Sequence, residues 1–194
     1  VDFILEGGSI DSNGKGTLLT TAKCIYNKNR NSHLKKEQIE EKIKSLFGLK
    51  NLIVLNHGSL EGDDTDSHID TLARFISEDT IAYVKCYDRD DEHFCELNLM
   101  EEELKQTGFN LVPLPLPKAH YFNNHRLPAT YINFVFINNA LIIPTYNDHK
   151  NDEKTYKILS EHIKDRKIIG VDASIFIREH GSLHCASINN MLPY

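Results

Sequence analysis

Three times along the chain a pair of short apolar runs is followed by a helical stretch and then by another strand, with a period of roughly 60 residues. That rhythm of hairpin, helix and strand confines the chain to the α/β class, although the three stretches share too little sequence to be read as a repeat on identity alone. In the first, residues 3–5 and 17–21 flank SIDSNGKG, whose Asn13-Gly14 is the strongest short-range hairpin cue. KKEQIEEKIKSLFG then predicts a helix, with Ile39, Ile43 and Leu46/Phe47 on one face and Gly48 supplying a left-handed stop. NLIVLN follows as a strand.

In the second stretch TDSHIDTLARFIS opens as a turn or short helix and DTIAYVKCY returns as a strand. ELNLMEEELKQTG predicts an amphipathic helix on Leu97, Met100 and Leu104, closed by Gly108, with its EEE run as a solvated face. LVPLPLPKAHYFNNHRLP, rich in proline, reads as an irregular surface loop edging a pocket. In the third, YINFVFINNALIIP gives two strands around Asn138-Asn139, NDEKTYKILSEHIKD a helix capped by Asn151 or Asp152, and RKIIGVDAS a strand.

The 194 residues suit a single domain, 1–194, with a sizeable core. A net charge of −6 argues against nucleic acid, which needs clustered Lys and Arg to displace counterions, and is more at ease with cationic ligands. Cysteines 24, 86, 95 and 185 form no CxxC pair, so neither a redox motif nor a structural zinc site is supported, and reduced thiols in a cytoplasmic protein are expected. No apolar run reaches the ~18 residues of a membrane span. The opening VDFILEGG, which reads as a strand without an initiator Met, predicts further chain upstream.

Three features carry chemistry. Glu6 stands in LEGGSID, where two glycines let a ligand or another backbone come close, although a strand-end Glu is ordinarily just solvated. DDTDSHID sets four carboxylates around His68; a His among acids is a candidate general acid/base, and the plainer alternative is an Asp-rich loop or helix start. HGSLHCAS delivers His184 and Cys185 from a glycine-serine turn, and Cys185 is by itself a nucleophile, a ligand or a small buried residue. A zinc site of His68, His184 and Cys185 has poor ligand spacing.

LEGGSID, GTLLTTAKCIYNKNRN, DDTDSHIDTLARF, HRLPATYINFVFINNALIIPTYND and HGSLHC, in that order, resemble the agmatine deiminase and Porphyromonas-type peptidyl-arginine deiminase family. The resemblance implies a pentein-type β/α propeller of five blades, of which this chain would hold about three, as the C-terminal part of a catalytic domain. It implies Cys185 as nucleophile, His68 as general acid/base, and Glu6 and Asp70 as carboxylates that bind a guanidinium. The partner it implies is a small cationic guanidino substrate, agmatine, in putrescine synthesis, with no metal or organic cofactor, no nucleic acid and no membrane; a homo-oligomer is compatible with it. Peptidyl-arginine deimination is the alternative, as is an inactive fragment of such an enzyme, because the family's tryptophan-containing segment with a further guanidinium-binding Asp has no counterpart here. Cys24, Cys86 and Cys95 are left as structural. Two positions depart from the family pattern: Ser67 stands where TDGHxD has glycine, and HGSLHC replaces GGGNIHC, with His180 and Ser182 where glycine is common.

Overall fold

The computed structural model describes residues 2–189. Its strands form three three-stranded sheets and one two-stranded ribbon. The three sheets share one topology: a short strand pairs antiparallel with a longer one, and the chain then crosses through a helix to return parallel to that second strand. The first unit comprises Ile10–Ser12, Thr17–Thr21, the helix Lys36–Phe47 and Asn51–Leu55. Ala73–Phe75, Thr80–Lys85, Phe94–Lys105 and Asn110–Pro115 make the second. Val135–Ile137, Ala140–Thr145, His149–His162 and Lys167–Asp172 make the third. The repeat that sequence identity conceals is therefore explicit in hydrogen bonding.

The second strand of each unit is the middle of its sheet and is covered on both faces. Thr17–Thr21 is buried at every residue, so it has no polar alternation to reveal it. Successive side chains serve different packing layers, because strand residues alternate in direction. Leu18 packs with Ile25, Ile39 and Ile43 beneath the first helix, whereas Leu19 joins the large core that runs through the second and third units to Ile177. Leu46 and Phe47, expected on the buried face of that helix, are about half exposed.

The first hairpin lies nearer its turn than expected. Residues 3–5 form no strand, because Asn31 takes both backbone groups of Ile4: Ile4 N–H donates to Asn31 Oδ1 at 2.9 Å and Asn31 Nδ2 donates to Ile4 O at 2.8 Å. Ile10–Ser12 pairs with Thr17–Thr21 instead. The EEE run is not uniformly solvated either. Glu101 is buried and ion-paired with Lys85 at 2.7 Å, and Glu103 accepts the backbone N–H groups of Asn56 and His57. Half of the proline-rich segment is regular. Asn110–Pro115 is an edge strand, where a proline costs little because one side of the strand has no partner to bond.

Candidate active site

Each unit presents site residues just ahead of its first strand. Glu6, Gly7 and Gly8 precede Ile10–Ser12, His68 and Asp70 precede Ala73–Phe75, and Asn133 precedes Val135–Ile137; Cys185 follows the last strand. Glu6, His68, Asp70, His184 and Cys185 line a single cavity of about 590 Å³. Thus the four residues singled out in the sequence come together, from segments up to 179 positions apart.

Gly8 makes that approach possible. A Cβ on it would lie 2.7 Å from His68 Nδ1 and 2.9 Å from Asp70 Oδ2, so only glycine lets the 6–9 turn rest on both side chains. The 63–70 loop is held by its own polar groups. Asp63 accepts from Thr65 Oγ1 and from Ser67 N at 2.6 Å, Thr65 Oγ1 accepts His68 N–H, and Thr21 Oγ1 donates to Ser67 O at 2.7 Å. Asp66 and Ser67 are both left-handed, with φ of 63° and 64°.

Ser67 is also buried, with a hydroxyl that has no partner among the described residues. Every loop bond it makes uses its backbone, which glycine would keep. Ser67→Gly therefore raises thermal stability by about 1 kcal/mol, from relief of left-handed strain and an unmet hydroxyl. A melting temperature equal to or below that of the parent would refute this account. His180, the other departure, is likewise left-handed at 62° and is anchored by Nδ1 on Gly62 O at 2.6 Å.

The acid that faces His68 is not one of its loop neighbours. Glu6 Oε2 lies 2.7 Å from His68 Nε2 and also accepts Nε and Nη2 of Arg30, at 3.0 and 2.7 Å. Arg30 extends to Asp66 Oδ2 at 2.7 Å and to Thr65 O, and so ties the Glu6 segment to the 63–70 loop. Burial pushes the Glu6 carboxyl up, but the hydrogen bonds and charges of Arg30 and His68 outweigh it and hold the group below its ordinary range. Glu6, Cys24 and His68 offer ligand atoms within 4.8 Å of one another. Arg30 already donates two N–H groups to Glu6 Oε2 in that cluster, and burial pushes the Cys24 thiol up to about 12.

Asp70 is 1% exposed. Its Oδ2 meets His184 Nδ1 at 2.7 Å and stands 3.7 Å from Cys185 Sγ, while Oδ1 is buried with no partner among the described residues. A buried carboxylate oxygen without a donor is costly, so Oδ1 calls for a donor from outside the described residues. Cys185 is exposed in the turn after the short helix Phe176–Glu179. Gly181 is required there, since a Cβ would come 2.9 Å from Cys185 Cβ. Burial of the sulfur, and next the Asp70 charge, push the thiol above its ordinary range.

Three residues of the site had no assigned role in the sequence. Arg30 gave no signal. His184 stands next to Cys185, and the sequence offers it only as a zinc ligand. Asn133, fully buried between Ile132 and Phe134, gave the one usable sign: a polar residue inside an apolar run, which must find partners.

The profile of the Porphyromonas-type peptidyl-arginine deiminase family matches residues 1–190. The agmatine deiminase of Medicago truncatula is 30% identical, over 94% of this chain and 56% of its own length. Among solved structures, the C. jejuni agmatine deiminase with substrate bound is 60% identical with a TM-score of 0.93, covering 95% of this chain and 55% of that one. An Enterococcus faecalis agmatine deiminase is 26% identical with a TM-score of 0.84, over 94% of this chain and 56% of that one. The chain spans about half the length of the relatives it matches. With a matching profile over nearly all its residues, the chain belongs to the Porphyromonas-type peptidyl-arginine deiminase family.

Proposed function

We propose that residues 1–194 are the C-terminal part of a catalytic domain that hydrolyses the guanidino group of agmatine to N-carbamoylputrescine and ammonia, on the way to putrescine. The observation that carries this is the meeting of Cys185 Sγ with the Asp70 carboxylate, 3.7 Å from Oδ2, in one cavity that Glu6 and His68 also line. A guanidinium is planar, cationic and all donor, so it supplies the hydrogen bonds that Asp70 lacks. Glu6 offers its second oxygen, since its three close contacts all fall on Oε2. Asp64 and Glu179 add negative charge to the cavity wall, which favours the free ammonium end of agmatine over the carboxylate of free arginine.

Held so, the guanidinium carbon faces the sulfur. The Cys185 thiolate forms an S–C bond, the C–N bond breaks, and His68 gives the departing nitrogen its proton to release ammonia. His68 then takes a proton from water, whose oxygen adds to the thiouronium carbon; the C–S bond breaks and the ureido product leaves. Neither step calls for a metal or an organic cofactor. The thiols are free, as in a cytoplasmic protein.

In this proposal the three like units are three of the five blades of a pentein propeller. It is supported by their shared topology and by the recurrence of site residues ahead of each first strand. Ile169 and Val171 of the last strand, and Ile175 and Phe176 after it, are substantially exposed, an apolar surface of the kind a further blade covers.

Peptidyl-arginine is the second reading, favoured by the family's own description. Ammonia release from agmatine and from an arginine peptide separates the two. It is measured on this chain alone and on the chain joined to the N-terminal part of the C. jejuni enzyme. Agmatine is the expected substrate. Turnover only in the joined protein makes this chain an incomplete enzyme; preference for the peptide overturns the substrate; turnover of neither overturns the function.

A further inference from the structure

We propose that Asn133 is the residue that readies the nucleophile, by donating a side-chain N–H to Cys185 Sγ while clamping the Cys185 turn onto the Asp70 segment. This rests on the proposed function only in taking Cys185 as the reacting group.

Asn133 is fully buried, and its amide is used to capacity. Nδ2 donates to Asp70 O at 3.2 Å and to Cys185 Sγ at 3.3 Å. Oδ1 accepts the backbone N–H groups of His184 at 2.8 Å and Cys185 at 3.3 Å. Those partners settle which way the amide faces: two backbone N–H groups can only donate and the Asp70 carbonyl can only accept, so a flipped amide would lose three bonds at once. The N–H is thereby committed to the sulfur.

The sulfur accordingly sits between opposed groups. Asp70 Oδ2, at 3.7 Å, resists a second negative charge, whereas the Asn133 N–H is satisfied better by a thiolate than by a thiol. Asn133 also stands shortly ahead of the opening strand of the third unit, which begins at Val135, as Asp70 and Glu6 stand ahead of the strands that begin at Ala73 and Ile10. Each unit thus contributes a polar side chain to one cluster, and the one from the third unit reaches the sulfur at 3.3 Å.

The test is the pH profile of Cys185 alkylation by iodoacetamide, read by peptide mass spectrometry to separate it from exposed Cys95. Asn133→Asp keeps an acceptor for both backbone N–H groups but turns an oxygen toward the sulfur; Asn133→Ser removes the donor without adding charge. The profile moves up by about one pH unit in the Ser variant and further in the Asp variant, so alkylation at pH 7 slows about tenfold or more. A merely structural Asn133 leaves the profile of a folded variant superimposed on the parent's, which would overturn the proposal. Should neither variant fold, the Asn133 side-chain amide signals of the parent protein decide by NMR. They move through the thiol titration and do not in Cys185→Ala; signals that stay flat in the parent overturn the proposal. Because the readout is sulfur reactivity, it stands whether or not agmatine proves to be the substrate.

Discussion

On the proposed function, Cys185→Ala, made in whichever of the lone and joined proteins turns agmatine over, lowers ammonia release by on the order of 10⁴-fold or more and leaves agmatine binding and thermal stability nearly unchanged. The stability half follows from position: the residue as a whole is exposed in a turn though its sulfur points inward, and Asn133 Nδ2 keeps Asp70 O as a partner when the sulfur is lost, so the cost is about 0.5 kcal/mol. Binding persists on that function because Asp70 and Glu6, not the sulfur, would supply the acceptors for the guanidinium. The rate collapses because nothing else at the site can replace the thiolate. Cys24 is near Glu6 and His68, but it is buried and its thiol is pushed up to about 12. Water activated by His68 alone would have to attack a guanidinium whose resonance is intact, without the covalent intermediate that divides the barrier. Equilibrium dialysis with labelled agmatine and an ammonia assay on the same preparation check both halves. Residual turnover within tenfold of the parent would remove Cys185 from the mechanism, whatever the binding result.

The architecture was legible in the sequence where single residues act locally. Asn13-Gly14 closes the first hairpin, Gly48 ends the first helix in the left-handed region, and Leu97, Met100 and Leu104 are all buried as their spacing predicted. It was illegible where a side chain from elsewhere takes over the backbone. Residues 3–5 look like a strand, and it is Asn31, 27 positions on from Ile4, that occupies their hydrogen bonds. The misplaced EEE run has the same cause: Glu101 is buried because Lys85 stands opposite, on a strand 16 positions earlier.

The site divides along the same line. Glu6, His68, Asp70 and Cys185 stand in short motifs whose order and chemistry could be matched, and one cavity gathers all four. Arg30 and Asn133 act only through partners far away in sequence. Arg30 is 24 residues from Glu6 and 36 from Asp66; Asn133 is 52 from Cys185. The sequence shows His68 among four carboxylates, yet its carboxylate partner is Glu6, 62 positions away. Proximity along the chain gave the right kind of group and the wrong residue, because the loop spends Asp63 on its own turn and Asp66 on Arg30.

Asp70→Asn, in a variant whose melting temperature matches the parent's, moves two measurements in opposite directions: turnover of agmatine falls and alkylation of Cys185 quickens. The carboxylate is buried, one oxygen bonded to His184 and the other left for a donor. Asparagine keeps the shape and a partner for His184 but forfeits the charge that meets the guanidinium. Removing one member of a desolvated charge pair is worth several kcal/mol, so kcat/KM for agmatine falls about 10³-fold. The sulfur responds the other way. Burial and then the Asp70 charge hold the Cys185 thiol above its ordinary range, so at neutral pH little thiolate is present and alkylation climbs only as the medium turns alkaline. Without that anion the profile shifts to lower pH, and alkylation at pH 7 becomes several-fold faster even as turnover collapses. On the proposed function, the substrate would achieve in the parent what the mutation does in the variant: a bound guanidinium would neutralise Asp70 and let the thiol ionise where it is needed. A small guanidinium ligand that leaves the sulfur uncovered therefore speeds alkylation of the parent at pH 7 and has little effect on Asp70→Asn. Slower alkylation of the variant would mean that Asp70 supports the thiolate, and equal acceleration of both proteins would mean that the ligand cation is not held by Asp70.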